Sequence, residues 1–182
     1  MTRKAGLEEG AEPLDGIIVG ELPSDVFARR FGNYFFSDID LNSSESIIST
    51  LRQVAVVCSG LDSEVDVFAS SSRRFLARLD NEASWPREIK KLSREMWVDG
   101  DTGGMFIIDR RKKWVIYQAR PVDLAVLAVD CHADLRGISA VRDSFFTIGD
   151  VKNWLSLRTA RDRELVDVFG SGFLSALVES YS

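Results

Sequence analysis

Three closely spaced apolar runs decide the fold of this chain. They read Met105-Phe-Ile-Ile-Asp109, Trp114-Val-Ile-Tyr-Gln-Ala119 and Leu124-Ala-Val-Leu-Ala-Val-Asp-Cys131. Val, Ile and aromatic residues are enriched in strands, and short polar segments separate the runs. The stretch therefore predicts a three-stranded antiparallel meander whose first turn is Arg110-Arg-Lys-Lys113.

Segments with helical spacing precede this meander. Apolar residues recur every three to four positions after Asn42-Ser-Ser-Glu45, a stretch that offers N-cap residues, and again after Ser84. Pro86 stands in the first turn of the second segment, where its missing N–H costs little. The same spacing predicts a further helix over residues 62–79, while residues 54–58 fit either a helix or a strand.

The two ends of the chain add shorter elements. Pro23-Ser24-Asp25 predicts a short helix that ends at Gly32, and Tyr34-Phe-Phe predicts a strand. Near the other end, Asp150 suits an N-cap, and Gly170 predicts a kink or a break into two consecutive helices. The fold class is therefore α+β: an antiparallel meander sheet of about three to five strands packed with amphipathic helices on one or both faces.

Length and composition limit the class of protein. The chain has 182 residues, which predicts a single domain over residues 15–182 after a flexible leader at residues 1–14. Hydrophobic residues make up 45% and charged residues 28%, which excludes a wholly disordered chain. The sequence shows neither a membrane-length apolar run nor a signal-peptide pattern, and a cytoplasmic protein without membrane contact is expected.

The net charge of -5 is unevenly distributed. It disfavours nucleic acid as a partner, because phosphate binding requires clustered Lys and Arg. Acidic residues are concentrated before the meander and in its entry turn, and they form the predicted partner-binding set: Asp38, Asp40, Glu45, Asp62, Glu64, Asp66, Asp99 and Asp101. These residues are either solvated helix faces or an acidic surface that docks a cationic protein.

Two acidic motifs have oxygen ligands at spacings that occur in metal sites. Asp99-Gly-Asp101-Thr-Gly-Gly104 opens like a calcium loop, but Arg110 occupies the twelfth position, where a bidentate Glu is required. A Gly-rich turn entering a strand is the prediction for this motif. Asp38-Ile-Asp40-Leu-Asn42 places oxygen ligands at alternate positions and leaves open a metal-dependent enzyme, although a loop within the acidic surface is favoured. No catalytic residue, metal ligand or cofactor is predicted.

Cys58, Cys131 and the single histidine, His132, are the remaining reactive candidates. Both cysteines follow Val-rich segments of an expected cytoplasmic protein, so separate buried thiols are predicted and a disulfide is the alternative. A catalytic pair of Cys58 and His132 is a further alternative, since a thiolate requires a nearby base. Neither cysteine lies in a Cys-x-x-Cys spacing that would indicate zinc.

One segment resembles a known family. Gly100-Asp-Thr-Gly-Gly-Met-Phe-Ile-Ile-Asp109, followed by Val115-Ile-Tyr117, is similar to the strand pair of the SUKH superfamily of bacterial immunity proteins. Leu22-Pro-Ser-Asp-Val-Phe27 resembles the entrance to that family's early helix. The resemblance implies a protein of bacterial competition that binds a toxin.

The residues and the resemblance together give a functional prediction. We expect a non-catalytic immunity or inhibitor protein that binds and neutralises a cognate toxin, for example a basic nuclease domain, through its acidic surface. The chain is expected to be a monomer or a weak dimer. A dimeric secretion chaperone or adaptor is one alternative, and a metal-dependent or thiol enzyme is another.

Overall fold

The computed structural model describes residues 17–120, 124–131 and 133–182. Its six strands are β1 Asn33–Ser37, β2 Val65–Ala69, β3 Phe75–Leu79, β4 Met105–Asp109, β5 Trp114–Ala119 and β6 Leu124–Val129. They form one antiparallel sheet in the order β1-β6-β5-β4-β2-β3. The fold class is therefore α+β, as predicted.

The predicted meander is confirmed as the centre of this sheet. β4 pairs with β5 and β5 with β6, in a register that places Ile107 opposite Ile116 and Tyr117 opposite Val126. The number of strands exceeds the predicted three to five, because β1 adds to β6 and the β2–β3 hairpin adds to β4. All six residues of β6 are buried, as expected for a strand covered on both faces.

The helix predicted over residues 62–79 is wrong, since this segment forms β2, a turn and β3. Val65, Val67 and Ala69 alternate with Asp66 and Phe68, and this period of two decides the structure. Phe75, Leu76 and Leu79, which follow the turn, lie at positions that also fit a helical period, but they belong to β3. The three serines at 70–72 form part of the turn between the strands.

Six α-helices lie in the described residues. They are α1 Glu45–Ser59, α2 Trp85–Val98, α3 Ser139–Ser144, α4 Ile148–Trp154, α5 Ala160–Phe169 and α6 Ser171–Tyr181. The predicted starts of α1 after Ser44 and of α2 after Ser84 are confirmed, and residues 54–58 belong to α1. The predicted break at Gly170 separates α5 from α6.

Two predicted helix starts are wrong. Residues 24–32 contain no helix, because Ile18 bridges to Phe27 and the Val26 carbonyl accepts hydrogen bonds from the Val19 and Gly20 N–H groups. The N-cap of α4 is Thr147 rather than Asp150. Asp150 closes a capping box by accepting a hydrogen bond from the Thr147 N–H at 2.7 Å.

Helices cover both faces of the sheet. On one face, α1, α2 and α3 bury an aliphatic core that also contains Trp85 and Trp114, both 0% exposed. On the other, α4, α6 and residues 18–31 bury an aromatic core around Phe36 and Tyr181. No described helix is both long enough and apolar enough to cross a bilayer. The predicted leader at residues 1–14 lies outside the described residues.

Tyr181 joins the last helix to the start of the described chain. Its hydroxyl accepts a hydrogen bond from the Val26 N–H at 3.1 Å and donates one to the Ser24 carbonyl at 3.1 Å. Burial raises the pKa of this phenol far above its usual range. The hydroxyl therefore stays protonated and keeps both hydrogen bonds.

Candidate functional site

A polar groove lies at one end of the sheet, where β2 and β5 end and β4 begins. It consists of two adjoining cavities of about 540 and 200 Å³ that share Asp101, Thr102 and Gly103. The larger cavity lies against the β2–β3 turn, and the smaller one lies between α2, Asn42 and Arg120. We call the two cavities together the groove, and this end of the sheet the groove end.

Asp101 holds the centre of the groove together. Its carboxylate accepts hydrogen bonds from the Ser71 hydroxyl at 2.6 Å, the Ser72 hydroxyl at 3.0 Å and the Gly103 N–H at 3.0 Å. The hydrogen bond from Ser71 is the main reason that the pKa of Asp101 lies below its usual range, and those from Gly103 and Ser72 add to it. The ionised side chain therefore joins the α2–β4 loop to the β2–β3 turn.

Gly103 is required for this junction. A Cβ atom at this position would lie 2.7 Å from the Ser71 Oγ and 2.8 Å from its Cβ, closer than side chains can pack. Glycine thus permits the loop to approach the turn. The Gly-rich sequence after Asp101 serves packing as well as turn formation.

Asp99 lies beside Asp101 but contacts a different partner. It forms an ion pair with Arg74 at 2.9 Å on the solvent-exposed rim. Both carboxylates of the Asp-Gly-Asp motif therefore bind the β2–β3 turn, Asp101 through Ser71 and Ser72 and Asp99 through Arg74. In the described part of the chain, no three His, Cys, Asp or Glu side chains form a group suited to a metal ion.

Besides the shared residues Asp101 to Gly103, the smaller cavity is lined by residues from three other parts of the chain. Arg94 and Trp97 come from the last turns of α2, Asn42 from the loop before α1, and Arg120 from the end of β5. Trp97 is 67% exposed, and its neighbour Val98 is 82% exposed. Asn42 is buried, and its Oδ1 has no hydrogen-bond partner among the described residues.

The loop from Asp38 to Asn42 does not direct its carboxylates to one point. Asp40 forms an ion pair with Arg120 at 2.8 Å and accepts a hydrogen bond from the Asn42 N–H at 3.0 Å. Asp38 is exposed and forms no ion pair with the residues that the structure describes. The alternating Asp-x-Asp-x-Asn spacing serves a compact loop that stabilises the start of α1.

The other predicted acidic residues lie outside the groove. Glu45 in α1 approaches Lys90 in α2 at 3.8 Å, and Asp62 is exposed just before β2. Glu64 binds Arg110 at the opposite end of β2 from the groove. With a rise of about 3.3 Å per residue, the positions of Glu64 and Ser71 are separated by roughly 20 Å along the strand direction. The structure therefore places the eight acidic residues in separate regions.

Asp66 lies between these regions and is bound within the sheet. It accepts hydrogen bonds from Arg78 on the neighbouring strand, the shorter at 2.7 Å. The hydrogen bond to Asp66 raises the pKa of Arg78 above its usual value. Such a pair stabilises the register of β2 and β3 and leaves little charge for a partner.

The prediction of two separate thiols is wrong, because Cys58 and Cys131 form a disulfide with a Cα–Cα distance of 5.2 Å. It joins the end of α1 to the residues after β6. The two cysteines are 73 positions apart in the sequence, so their proximity could not be predicted from it. They meet because α1 packs on the sheet face to which β6 contributes Ala125, Leu127 and Val129. Cys58 is thus not available as a nucleophile while oxidised, and His132, its predicted base, lies outside the described residues.

Sequence reasoning missed the role of Arg94 and Arg120 and did not single out Trp97 among the four tryptophans. A signal for Trp97 was present, because Ile89, Leu92 and Met96 define the buried face of α2 and position 97 is turned about 100° from Met96. No local pattern identified Arg120, whose contact with Asp40 spans 80 positions.

Comparisons with family models, curated proteins and solved structures find no match for this chain. The resemblance to the SUKH superfamily therefore stays a prediction.

Proposed function

We propose that this chain is an immunity or inhibitor protein that binds a cognate toxin without catalysis, and that the groove is its contact surface. The single observation that carries this proposal is the exposed pair Trp97 and Val98 at the edge of the groove. Tryptophan is enriched at the energetic centres of protein interfaces, where it fills a pocket on the partner. Trp85 and Trp114, by contrast, are fully buried core residues.

A rigid support strengthens this interpretation. α2 is anchored through four buried side chains, Trp85, Ile89, Leu92 and Met96. The loop that follows Val98 is fixed by the hydrogen bonds of Asp101. A surface that is already ordered loses little conformational entropy when a partner binds, which favours tight association.

The acidic residues are assigned a smaller part in binding. Asp40 and Asp99 lie at the groove end in ion pairs with Arg120 and Arg74, and Asp38 is exposed near them. Exposed charges at the edge of an interface act mainly on the association rate. We therefore expect the association rate with a basic toxin to fall moderately as the salt concentration rises.

The experiment is protection of bacterial growth during co-expression with a toxin encoded beside this gene. Wild-type protein should restore growth and co-purify with the toxin, while Trp97→Ala and Val98→Asp should lose both effects. Val168→Asp is the matched control, because Val168 is 71% exposed on α5 across the sheet. Full protection by Trp97→Ala would overturn the proposed surface.

Light scattering of the isolated chain measures its oligomeric state and so distinguishes an immunity protein from the main alternative, a dimeric secretion chaperone. An immunity protein should be a monomer at micromolar concentration. A stable dimer would instead favour the secretion chaperone. Wild-type protein that neither protects nor co-purifies with any adjacent toxin would overturn the proposed function itself.

A further inference from the structure

The smaller cavity of the groove has the size of a subsite for one side chain. Its volume is about 200 Å³, below the roughly 300 to 1,000 Å³ of pockets that enclose free small molecules. It opens beside Trp97, the residue on which the proposed function rests. A guest here is therefore a group that projects from a larger partner.

The charges that line this cavity favour an anionic guest. Among the residues that the structure describes, Arg94 forms no ion pair and Arg120 has one carboxylate partner, Asp40. The one acidic residue in the described lining is Asp101, whose oxygens already accept hydrogen bonds from Ser71, Ser72 and Gly103. The unpaired charge of the described lining is therefore that of Arg94, a cation.

Asn42 contributes a buried polar residue to the wall of the cavity. Its Oδ1 has no hydrogen-bond partner among the described residues, but this atom is closed to solvent, as are the unpaired atoms of Ser59, Ser63, Asp109 and Trp114 elsewhere. The oxygen is therefore not assigned to the guest, and Arg94 and Arg120 carry the inference.

We propose that the smaller cavity binds the carboxylate of an aspartate or glutamate residue of the partner protein. Arg94 and Arg120 hold the carboxylate, and Trp97 covers the stem of the guest. This inference rests on the proposed function and specifies the chemistry of its contact. It also gives the toxin an acidic anchor residue in an interface where a basic toxin surface is expected.

The experiment uses a small probe, so that it does not depend on finding the toxin. Isotope-labelled full-length protein is titrated with N-acetyl-aspartate N-methylamide, and the side-chain signals of Asn42, Arg94 and Trp97 are followed by NMR. The neutral control is N-acetyl-asparagine N-methylamide, which has the same shape. We expect saturable shifts with a dissociation constant on the order of 1 to 10 mM for the acid, and at least tenfold weaker binding of the amide.

Two variants test the assigned cation. Arg94→Gln should abolish the shifts caused by the acidic probe. Arg87→Gln should leave them unchanged, because Arg87 is an exposed arginine of the same helix outside the cavity. Equal binding of both probes, absence of saturable shifts, or unchanged binding to Arg94→Gln would each overturn the inference.

The two proposals fail in different ways. If Trp97→Ala loses protection while the acidic probe does not bind, the proposed function survives and the carboxylate subsite is wrong. If the probe binds at Arg94 but the protein neutralises no toxin, the subsite stands as an anion site and the immunity function is wrong.

Discussion

The two ends of the sheet use their charged residues differently. We call the end formed by the β4–β5 turn the hairpin end, and three arginines there donate hydrogen bonds within the chain. Arg29 donates to Asp130 and to the Lys112 carbonyl. Arg110 donates to Glu64, and Arg111 donates to the Ser59 carbonyl. At the groove end, Arg94 has no ion pair among the described residues.

This difference separates structural from binding roles. At the hairpin end, Arg29, Arg110 and Arg111 are engaged by groups of the fold, and the disulfide lies beside them. The groove end has an arginine without an ion pair to any described residue and an exposed aromatic side chain, Trp97. We therefore expect substitutions at the hairpin end to change stability and those in the smaller cavity to change binding.

The largest effect is expected from removing the disulfide at the hairpin end. Cys58→Ala with Cys131→Ala should lower the free energy of unfolding by about 4 kcal/mol, because the bond closes a loop with a sequence separation of 73. Urea unfolding of the oxidised wild type, the reduced wild type and the double variant measures this. The reduced protein should match the double variant closely.

Thiol titration of the purified native protein is the accompanying control. Disulfides are rare in the reducing cytosol, so the bond and the predicted cytoplasmic location favour different compartments. Two free thiols in protein isolated under non-reducing conditions, or an unchanged urea midpoint in the double variant, would contradict the expected contribution of the bond.

The second effect tests the junction beneath the groove. Gly103→Ala should cost about 2 kcal/mol, because the new methyl group overlaps Ser71 and separates the turn from the loop. Gly172→Ala is the matched control, since a Cβ there would meet no atom within 4 Å apart from its chain neighbours and the backbone of its own helix. Thermal unfolding compares the two variants, and equal melting temperatures would show that the loop adapts without strain.

The third effect concerns acid stability. The pKa of Asp101 is lower in the folded chain than its unfolded value of about 4, so its ionised form stabilises the fold above that pH. This contribution is lost as the pH falls from about 4 through the folded pKa. Asp101→Asn should therefore cost about 1 kcal/mol at pH 7 and less at pH 3.

Urea midpoints at pH 7, 4 and 3 measure this dependence. Asp99→Asn is the control, because its exposed ion pair with Arg74 should contribute little at any pH. A constant difference between wild type and Asp101→Asn over this range would contradict the assigned cause.

The smallest effect on stability is expected at Trp97, an exposed residue of the groove. Trp97→Ala should change the free energy of unfolding by less than about 0.5 kcal/mol, because most of the side chain is already in water. Trp85→Ala, in the same helix but fully buried, should cost about 3 to 5 kcal/mol. Chemical unfolding of both variants checks the contrast, and a large loss at Trp97 would place it in the core.

Much of the fold could be predicted because its central strands are encoded locally. The apolar runs of β4, β5 and β6 are long enough to be read without context, and the caps at Ser44 and Ser84 mark α1 and α2. The β2–β3 hairpin was mistaken for a helix, because short apolar segments fit both periods when the turn between them carries no glycine.

The groove could be predicted only in part, because most of its contacts join distant positions. Asp99 and Asp101 were recognised from their motif, but the partner of Asp101 lies 30 positions earlier, at Ser71. The sequence predicts Asn42 only as a helix cap or as a metal ligand. Ion pairs between distant positions, such as Arg120 with Asp40, decide which charged residues are left without a partner. A local sequence pattern does not predict such pairs.

The edges of the sheet have a consequence for self-association. At one edge, the Phe36 N–H donates to the Phe146 carbonyl and the Phe146 N–H donates to Phe36, both at 2.8 Å, so a foreign strand finds that position of β1 occupied. At the other edge, β3 is five residues long, carries Arg78 and pairs with β2 through a bulge between Val67 and Phe68. Short, charged and irregular edges resist strand addition, so copies of this chain should not join edge to edge into larger sheets or fibrils.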